Sequence, residues 1–454
     1  MRQIFLMTAW FVFGLIFVAM SFYPTDRKMR SKLIDINPAR QSPVDSIMKQ
    51  SGKVGSGVNI HFVKGHEKDL DMIAAGGFRF IRMDLLWEDT ERSKGTYDWT
   101  AYDELTSNLE KRGLRAIYIL CYSNPLYEDT VSFKETDSGR ELKDIGSPQH
   151  AESIEAFARW SAAAAKHFRG KNIIWEIWNE PNVSYWRPVP DVSLYNALAL
   201  ATAKAVKEAD PDARIIGPAT SKIPMTFIGA FLASGILDYI DGVSVHPYRD
   251  YSLSPETAAG EYDQLRKLID RYAPAGKKDI PMISSEWGYA SATKGVSVKK
   301  QAEYAVRMQL ANLMNGIPLS IWYDWKNDGD NPDDFEHNCG TVTSALHPKP
   351  AYDALRTLNF QLKGFTFSKR IDLKNDNDYV LIFRNEKGET KISGWTTEPE
   401  HSVIIEYKVP AGVHATAIDG YGKTLKLKIQ KNNLVPDLGA LPQYITLPQG
   451  RGMK

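Results

Sequence analysis

Residues 172–178 read NIIWEIW, a short apolar run broken only by Glu176, and the chain continues through Asn179-Glu180-Pro181-Asn182. The flanks of this run decide what it is. An amphipathic stretch over 151–169 precedes it and stops at Gly170, and another over 192–209 follows it. A short apolar run held between two helical patterns reads as a buried strand of a parallel sheet, reached and left by crossover helices. Outward from it lie seven more such runs: 58–62 (VNIHF), 78–86 (FRFIRMDLL), 115–122 (RAIYILCY), 214–219 (RIIGPA), 241–246 (DGVSVH), 281–287 (PMISSEW) and 318–324 (PLSIWYD). Amphipathic stretches near 66–76, 102–112, 224–239, 256–272, 298–315 and 349–363 complete the alternation. Ser254 and Pro255 suit a helix start, whereas Gly113, Gly170 and Gly316 suit helix ends.

Eight strands each followed by a helix make a (β/α)₈ barrel, a TIM barrel. A doubly wound open sheet would need a glycine-rich phosphate loop after its first strand, and Asn59-Ile60-His61-Phe62-Val63-Lys64-Gly65 is not one. Beyond residue 365 the pattern changes to β-type runs at 378–384, 402–408, 413–418, 424–429 and 443–447, which predict a small all-β domain. The expected organisation is a hydrophobic segment over 1–25, a polar linker over 26–54, the barrel over 55–364 and the β domain over 365–454.

The 454 residues carry 56 Lys and Arg against 55 Asp and Glu, so the electrostatic footprint of a nucleic-acid binder is missing. Cys121 and Cys339 are too far apart for a CxxC metal or redox motif; they permit one disulfide and prove none. Near the N-terminus, Ile4–Tyr23 is mostly apolar and long enough to cross a bilayer, which predicts a transmembrane anchor or an uncleaved signal. Arg27, Lys28, Arg30 and Lys32 follow it and by the positive-inside rule favour a cytoplasmic body. Against that charge pattern, the expectation is a membrane-anchored protein with its folded body in the periplasm or outside the cell.

In a barrel, chemistry belongs at the C-terminal ends of the strands. There the sequence places Arg82, Asp84 and Trp87, then Tyr122 and Asn124, then Trp178-Asn179-Glu180-Pro181-Asn182, then His246-Pro247-Tyr248, then Glu286-Trp287-Gly288, and last Trp322-Tyr323-Asp324-Trp325. Two carboxylic acids, Glu180 and Glu286, stand amid Trp, Tyr, His and Asn. Splitting a glycosidic bond requires such a pair: an acid for the leaving oxygen, and a carboxylate that attacks the sugar or activates water. Trp87, Trp178, Trp186, Trp287, Trp322 and Trp325, six of the eleven tryptophans, are the expected sugar platforms. Glu176 sits four residues before Glu180, roughly 13 Å deeper if the strand continues, and reads as a buried paired group. The loops 123–147 and 325–346 are expected to shape the substrate groove. His337, Cys339 and Asp333 fit no standard zinc spacing, so no metal and no organic cofactor is called for.

The Asn179-Glu180-Pro181 motif on the fourth strand, with Ser285-Glu286-Trp287-Gly288 on the seventh, resembles the clan A retaining glycoside hydrolases, and among them family 39 with its β-xylosidases, iduronidases and exopolysaccharide-associated endoglycosidases. The resemblance spans about residues 55–364. It implies Glu180 as acid/base and Glu286 as nucleophile, Asn179 on the sugar 2-hydroxyl, Arg82 and Tyr248 holding Glu286 with His246 nearby, Trp322 as the floor under the scissile sugar, and Trp287 in the site. Together with the hydrophobic segment it implies an endoglycosidase of cell-surface polysaccharide, with the polymer, the membrane and a polysaccharide biosynthesis complex as partners. An exo-acting xylosidase and a non-catalytic polysaccharide binder are the alternatives.

Overall fold

The computed structural model describes residues 47–48, 54–406, 414–431 and 433–447. Eight parallel strands, β1 (Gly55–Asn59), β2 (Phe80–Leu86), β3 (Arg115–Cys121), β4 (Ile174–Ile177), β5 (Arg214–Ser221), β6 (Gly242–His246), β7 (Met282–Trp287) and β8 (Leu319–Trp322), close into a barrel in sequence order. After each comes a helix: α1 (Glu67–Ala75), α2 (Thr100–Glu110), α3 (Ala151–His167), α4 (Val192–Ala209), α5 (Met225–Ala233), α6 (Ala259–Tyr272), α7 (Val298–Met314) and α8 (Pro350–Gln361). The protein is a TIM barrel, as the alternation predicts. Gly113, Gly170 and Gly316 all take positive φ just past a helix, which only glycine does without strain.

Strand side chains alternate between helices and barrel interior. On β4, Trp175 and Ile177 pack outward while Ile174 joins Phe80, Ile117, Ile216, Ile283, Leu319 and Ile321 in an apolar floor. Ile47 and Met48 plug that floor, and Arg115 donates to the Ile47 carbonyl at 2.6 Å. Two residues above Phe80 and Ile174 on the same faces stand Arg82 and Glu176. The interior thus turns from apolar to charged within one side-chain layer.

The first strand begins three residues earlier than expected. A Cβ on Gly57 would lie 2.5 Å from Ile321 Cδ1 and 2.7 Å from the Phe80 carbonyl. Small residues are needed where β1 is squeezed between β2 and β8, and they carry no apolar signal. The helix expected over 224–239 ends at Ala233, because Gly235 turns the chain at φ 88° into a short 3₁₀ turn, Ile236–Asp238.

The C-terminal region forms separate antiparallel sheets. The largest has six strands in the order Thr366–Arg370, Asp378–Arg384, Thr390–Thr396, Gln443–Leu447, Thr416–Ile418 and Thr424–Leu425. Of the run expected over 402–408, only His401–Ser402 is a strand, and 407–413 lie outside the described residues. Trp395 in this sheet donates to Glu256 at 2.8 Å, and Glu256 receives a two-pronged ion pair from Arg307 on α7 (2.7 and 2.8 Å).

The expected membrane-spanning helix has to be corrected. Among the described residues no helix is long and apolar enough to cross a membrane, and Ile4–Tyr23 itself lies outside them. An apolar stretch of sufficient length is a sequence pattern, and no described element carries it.

Candidate active site

Above the floor, one guanidinium organises the barrel mouth. Arg82, fully buried on β2, donates from Nε to Glu176 Oε2 (2.6 Å), from Nη1 to Glu286 Oε2 (2.6 Å) and from Nη2 to Asn179 Oδ1 (2.8 Å), and Nη2 also reaches His246 Nε2 (3.2 Å). A planar five-donor fork can hold four groups in fixed relative positions, which a lysine could not. The ion pairs of Arg82 are to Glu176 and Glu286.

Local irregularities aim the two glutamates. On β7, Ser284 pairs with Ser320 but Trp287 pairs with Trp322, so three steps on β7 match two on β8. This bulge shifts the alternation and turns Glu286 into the mouth. Gly288 then passes so close to Tyr323 that a Cβ would meet its carbonyl at 2.1 Å. At β4 the strand stops at Ile177; Trp178 and Glu180 take φ of 66° and 48°, and the Glu180 amide donates to the Ala219 carbonyl at 2.9 Å. Positive φ in two bulky residues costs on the order of 1–2 kcal/mol each and persists only where the surroundings impose it. This coil also corrects the depth assigned to Glu176. Trp178 and Glu180 leave the extended conformation after Ile177, so the strand pitch behind that depth does not apply.

The electrostatics separate the acids. Burial pushes the Glu180 carboxyl up to about 7, with Arg82 partly opposing. Glu176 is equally enclosed, and burial alone would raise it, but the Arg82 cation together with hydrogen bonds from Ser244 and Ser285 outweighs that and holds it below the usual carboxylate range. Burial drives His246 down to about 4, so at neutral pH it is uncharged. Because Arg82 can only donate, Nε2 of His246 must accept, and the ring proton sits on Nδ1. Nδ1 therefore donates to Glu180 Oε1 (2.9 Å). The acid proton of Glu180 is left to Oε2. Tyr248 donates to Glu286 Oε1 (2.8 Å), and Asn179 Nδ2 donates to the Tyr122 hydroxyl (3.0 Å), keeping a second N–H free. One oxygen of Glu180, one of Glu286 and a His246 nitrogen all lie within 4.8 Å of one another.

The structure thus brings together Glu180, Glu286, Asn179, Arg82, His246 and Tyr248. Trp287 and Trp322 lie beside them but are 0 % exposed, and the Trp322 indole donates inward to the Cys339 carbonyl (3.1 Å). Trp87, Trp178, Trp186 and Trp325 are sealed as well. Their bulk fills the barrel wall, and the aromatic faces left at the surface belong to smaller rings such as Tyr185, 42 % exposed, and Phe335. His61 stands apart, against Asp328 (3.2 Å) and Asp324 (3.8 Å). Cys121 and Cys339 are free thiols. Sequence reasoning put Tyr122 at a strand end without a role and missed the hairpin Thr130–Lys134/Glu141–Ile145 inside the 123–147 loop, which walls a cleft beside Glu180.

The model of the cellulase family (glycosyl hydrolase family 5) matches residues 48–329, more than half of the chain. The chain belongs to this family of clan A glycoside hydrolases. Among solved structures, this hydrolase is similar to a family 39 glycoside hydrolase from the gut symbiont Bacteroides cellulosilyticus WH2, with 29 % identity, TM-score 0.74, and 88 % of this chain and 81 % of that one covered. The fold is shared with a family 39 β-xylosidase from Caulobacter crescentus (18 %, TM-score 0.61, 89 % and 98 % covered) and with family 30 xylanase C from Talaromyces cellulolyticus (11 %, TM-score 0.60, 88 % and 97 % covered). No curated protein sequence matches it. The hydrolase is a clan A glycosidase of the retaining fold, family 39-like.

Proposed function

We propose that the protein cleaves internal bonds of a polysaccharide, a cell-surface or exopolysaccharide, by double displacement at Glu286 and Glu180. The observation that carries this reading is the approach of the two carboxyls to within 4.8 Å between oxygens. Retaining enzymes hold theirs about 5–5.5 Å apart, whereas inverting enzymes need roughly 6.5–9.5 Å to fit a water.

In this mechanism Glu286 attacks the anomeric carbon while Glu180 gives its Oε2 proton to the leaving oxygen. Forming the glycosyl ester discharges Glu286. With that negative neighbour gone, Glu180, now deprotonated, stays ionised and serves as base, taking the proton of the attacking water and so regaining its acid form. Arg82 and Tyr248 orient the nucleophile, His246 orients the acid, and the free Asn179 N–H meets the sugar 2-hydroxyl. Internal cleavage is supported by the cleft, which runs on from Glu180 between the hairpin and the β4–α4 loop and leaves room for a continuing chain. A polymer of this kind accumulates in the periplasm or outside the cell, and the proposal places the catalytic body there.

The test is incubation of the protein with a panel of bacterial polysaccharides and sizing of the earliest products. Oligosaccharides are expected. A monosaccharide alone means exo-action, and binding without release means a polysaccharide-binding protein.

A further inference from the structure

The cleft beside Glu180 is a built feature. The hairpin is latched to the β4–α4 loop by reciprocal bonds, Thr136 N to Ser184 Oγ (3.0 Å) and Ser184 N to Thr136 Oγ1 (2.9 Å), and by Arg187 N to Ser147 Oγ (2.8 Å). Tyr185 stacks one face on Tyr122, with centroids 5.9 Å apart and planes 14° from parallel, and lines the cleft. A half-exposed ring braced from behind, next to the acid that protonates the leaving oxygen, is placed to meet the next sugar. Besides Glu180, the charged groups in the cleft are Glu135, Asp137, Asp144, Lys143 and Arg187, three acids against two bases. Arg187 is spent on Asp144 (2.8 Å), while the negative charge of Asp137 acts on Glu180 itself.

We propose that this cleft is the subsite for the first sugar of the leaving chain, that Tyr185 is its stacking platform, and that Asp137 biases it toward neutral or amino sugars and against uronic acids. The inference rests on the glycosidase reading above. A uronate there would place another negative charge beside Asp137 and Glu180, whereas a hydroxylated or ammonium-bearing ring would not.

Acceptors report on this subsite directly, because a glycosyl-enzyme is intercepted by whatever binds where the leaving sugar was. The full-length protein is given dinitrophenyl glycosides of glucose, xylose and mannose as donors and the methyl glycosides of glucose, glucosamine and glucuronic acid as acceptors. Transfer against acceptor concentration is read by mass spectrometry. Transfer to the neutral and amino acceptors should saturate, with the glucuronide poorer by about fivefold or more. Tyr185→Ala should raise the half-saturating acceptor concentration by about tenfold while Tyr185→Phe, which keeps the ring, stays near wild type. Asp137→Asn should narrow the gap to the glucuronide. Unchanged acceptor saturation in Tyr185→Ala, equal use of the glucuronide, or no transfer at all overturns the inference and leaves the glycosidase reading standing. Failure to turn over any donor overturns the glycosidase reading and this inference with it.

Discussion

Replacing Arg82 with Met keeps much of the side chain's volume and removes its charge. Glu176 then loses the cation on its Oε2, and Glu286 loses one partner and keeps Tyr248, both carboxylates being buried. Breaking a buried ion pair from one side costs about 3–5 kcal/mol, because the remaining charge is left uncompensated. With about 2.1 cal/mol/K of unfolding entropy per residue over roughly 400 residues, that is a loss of about 4–6 °C in Tm. The pH dependence identifies the cause. In the wild type, Glu176 is held below its ordinary value, so its contribution to stability is present above the unfolded carboxylate pKa and is lost as pH falls through the lower folded value. In Arg82→Met the cation is gone, burial raises Glu176, and its penalty is full at neutral pH and fades as acid neutralises it. The difference in Tm between variant and wild type should therefore be largest near pH 7 and shrink toward pH 4.5. Arg82→Met/Glu176→Gln should recover part of the loss at pH 7. The assay is thermal unfolding of all three proteins across that range. A variant within about 1 kcal/mol of wild type, or a deficit independent of pH, would refute the idea that Arg82 compensates two buried carboxylates.

The acid role of Glu180 predicts that kcat/KM for polysaccharide falls as pH rises through about 7, where the proton donor is lost, and that an activated aryl glycoside shows a much weaker alkaline limb; pH–rate profiles on both substrates check it. Tyr248→Phe removes the 2.8 Å bond to Glu286 but keeps the ring, so kcat/KM should drop roughly 10–100-fold with little change in Tm, measured by steady-state kinetics beside thermal unfolding. The first product released by the wild type should keep the anomeric configuration of the substrate, and proton NMR before mutarotation would expose an inverted one.

The barrel was legible because eight apolar runs and eight amphipathic stretches alternate, and because glycine punctuates the helix ends. The pair of glutamates that meet in the mouth was legible because Asn179-Glu180-Pro181 and Glu286 both fall at strand ends. The geometry that aims them was not. Nothing in Trp178 or Glu180 announces a positive φ, and the bulge on β7 shows only in its pairing with β8. The hairpin strands TVSFK and ELKDI escaped notice because TVSFK alternates over only five residues, ELKDI does not alternate, and among them only Phe133 is buried; Gly139 at φ 66° lies in the turn between them. Thr390–Thr396 escaped for the opposite reason. All seven residues are buried, but only Ile392 and Trp395 are apolar, so the sequence shows no run. The tryptophans misled because ring size favours burial as much as sugar contact.

The most direct measurement is azide rescue of Glu180→Ala with an activated aryl glycoside. Without its acid/base the variant should still form the glycosyl-Glu286 ester, since dinitrophenolate needs no proton, and then stall for want of a base to activate water. Azide needs no base. Added azide should restore turnover and yield a glycosyl azide of retained configuration, formed by the second of two inversions. A glycosyl azide of inverted configuration from Glu180→Ala would mean that Glu180 is itself the nucleophile, and would contradict the assignment of the two glutamates.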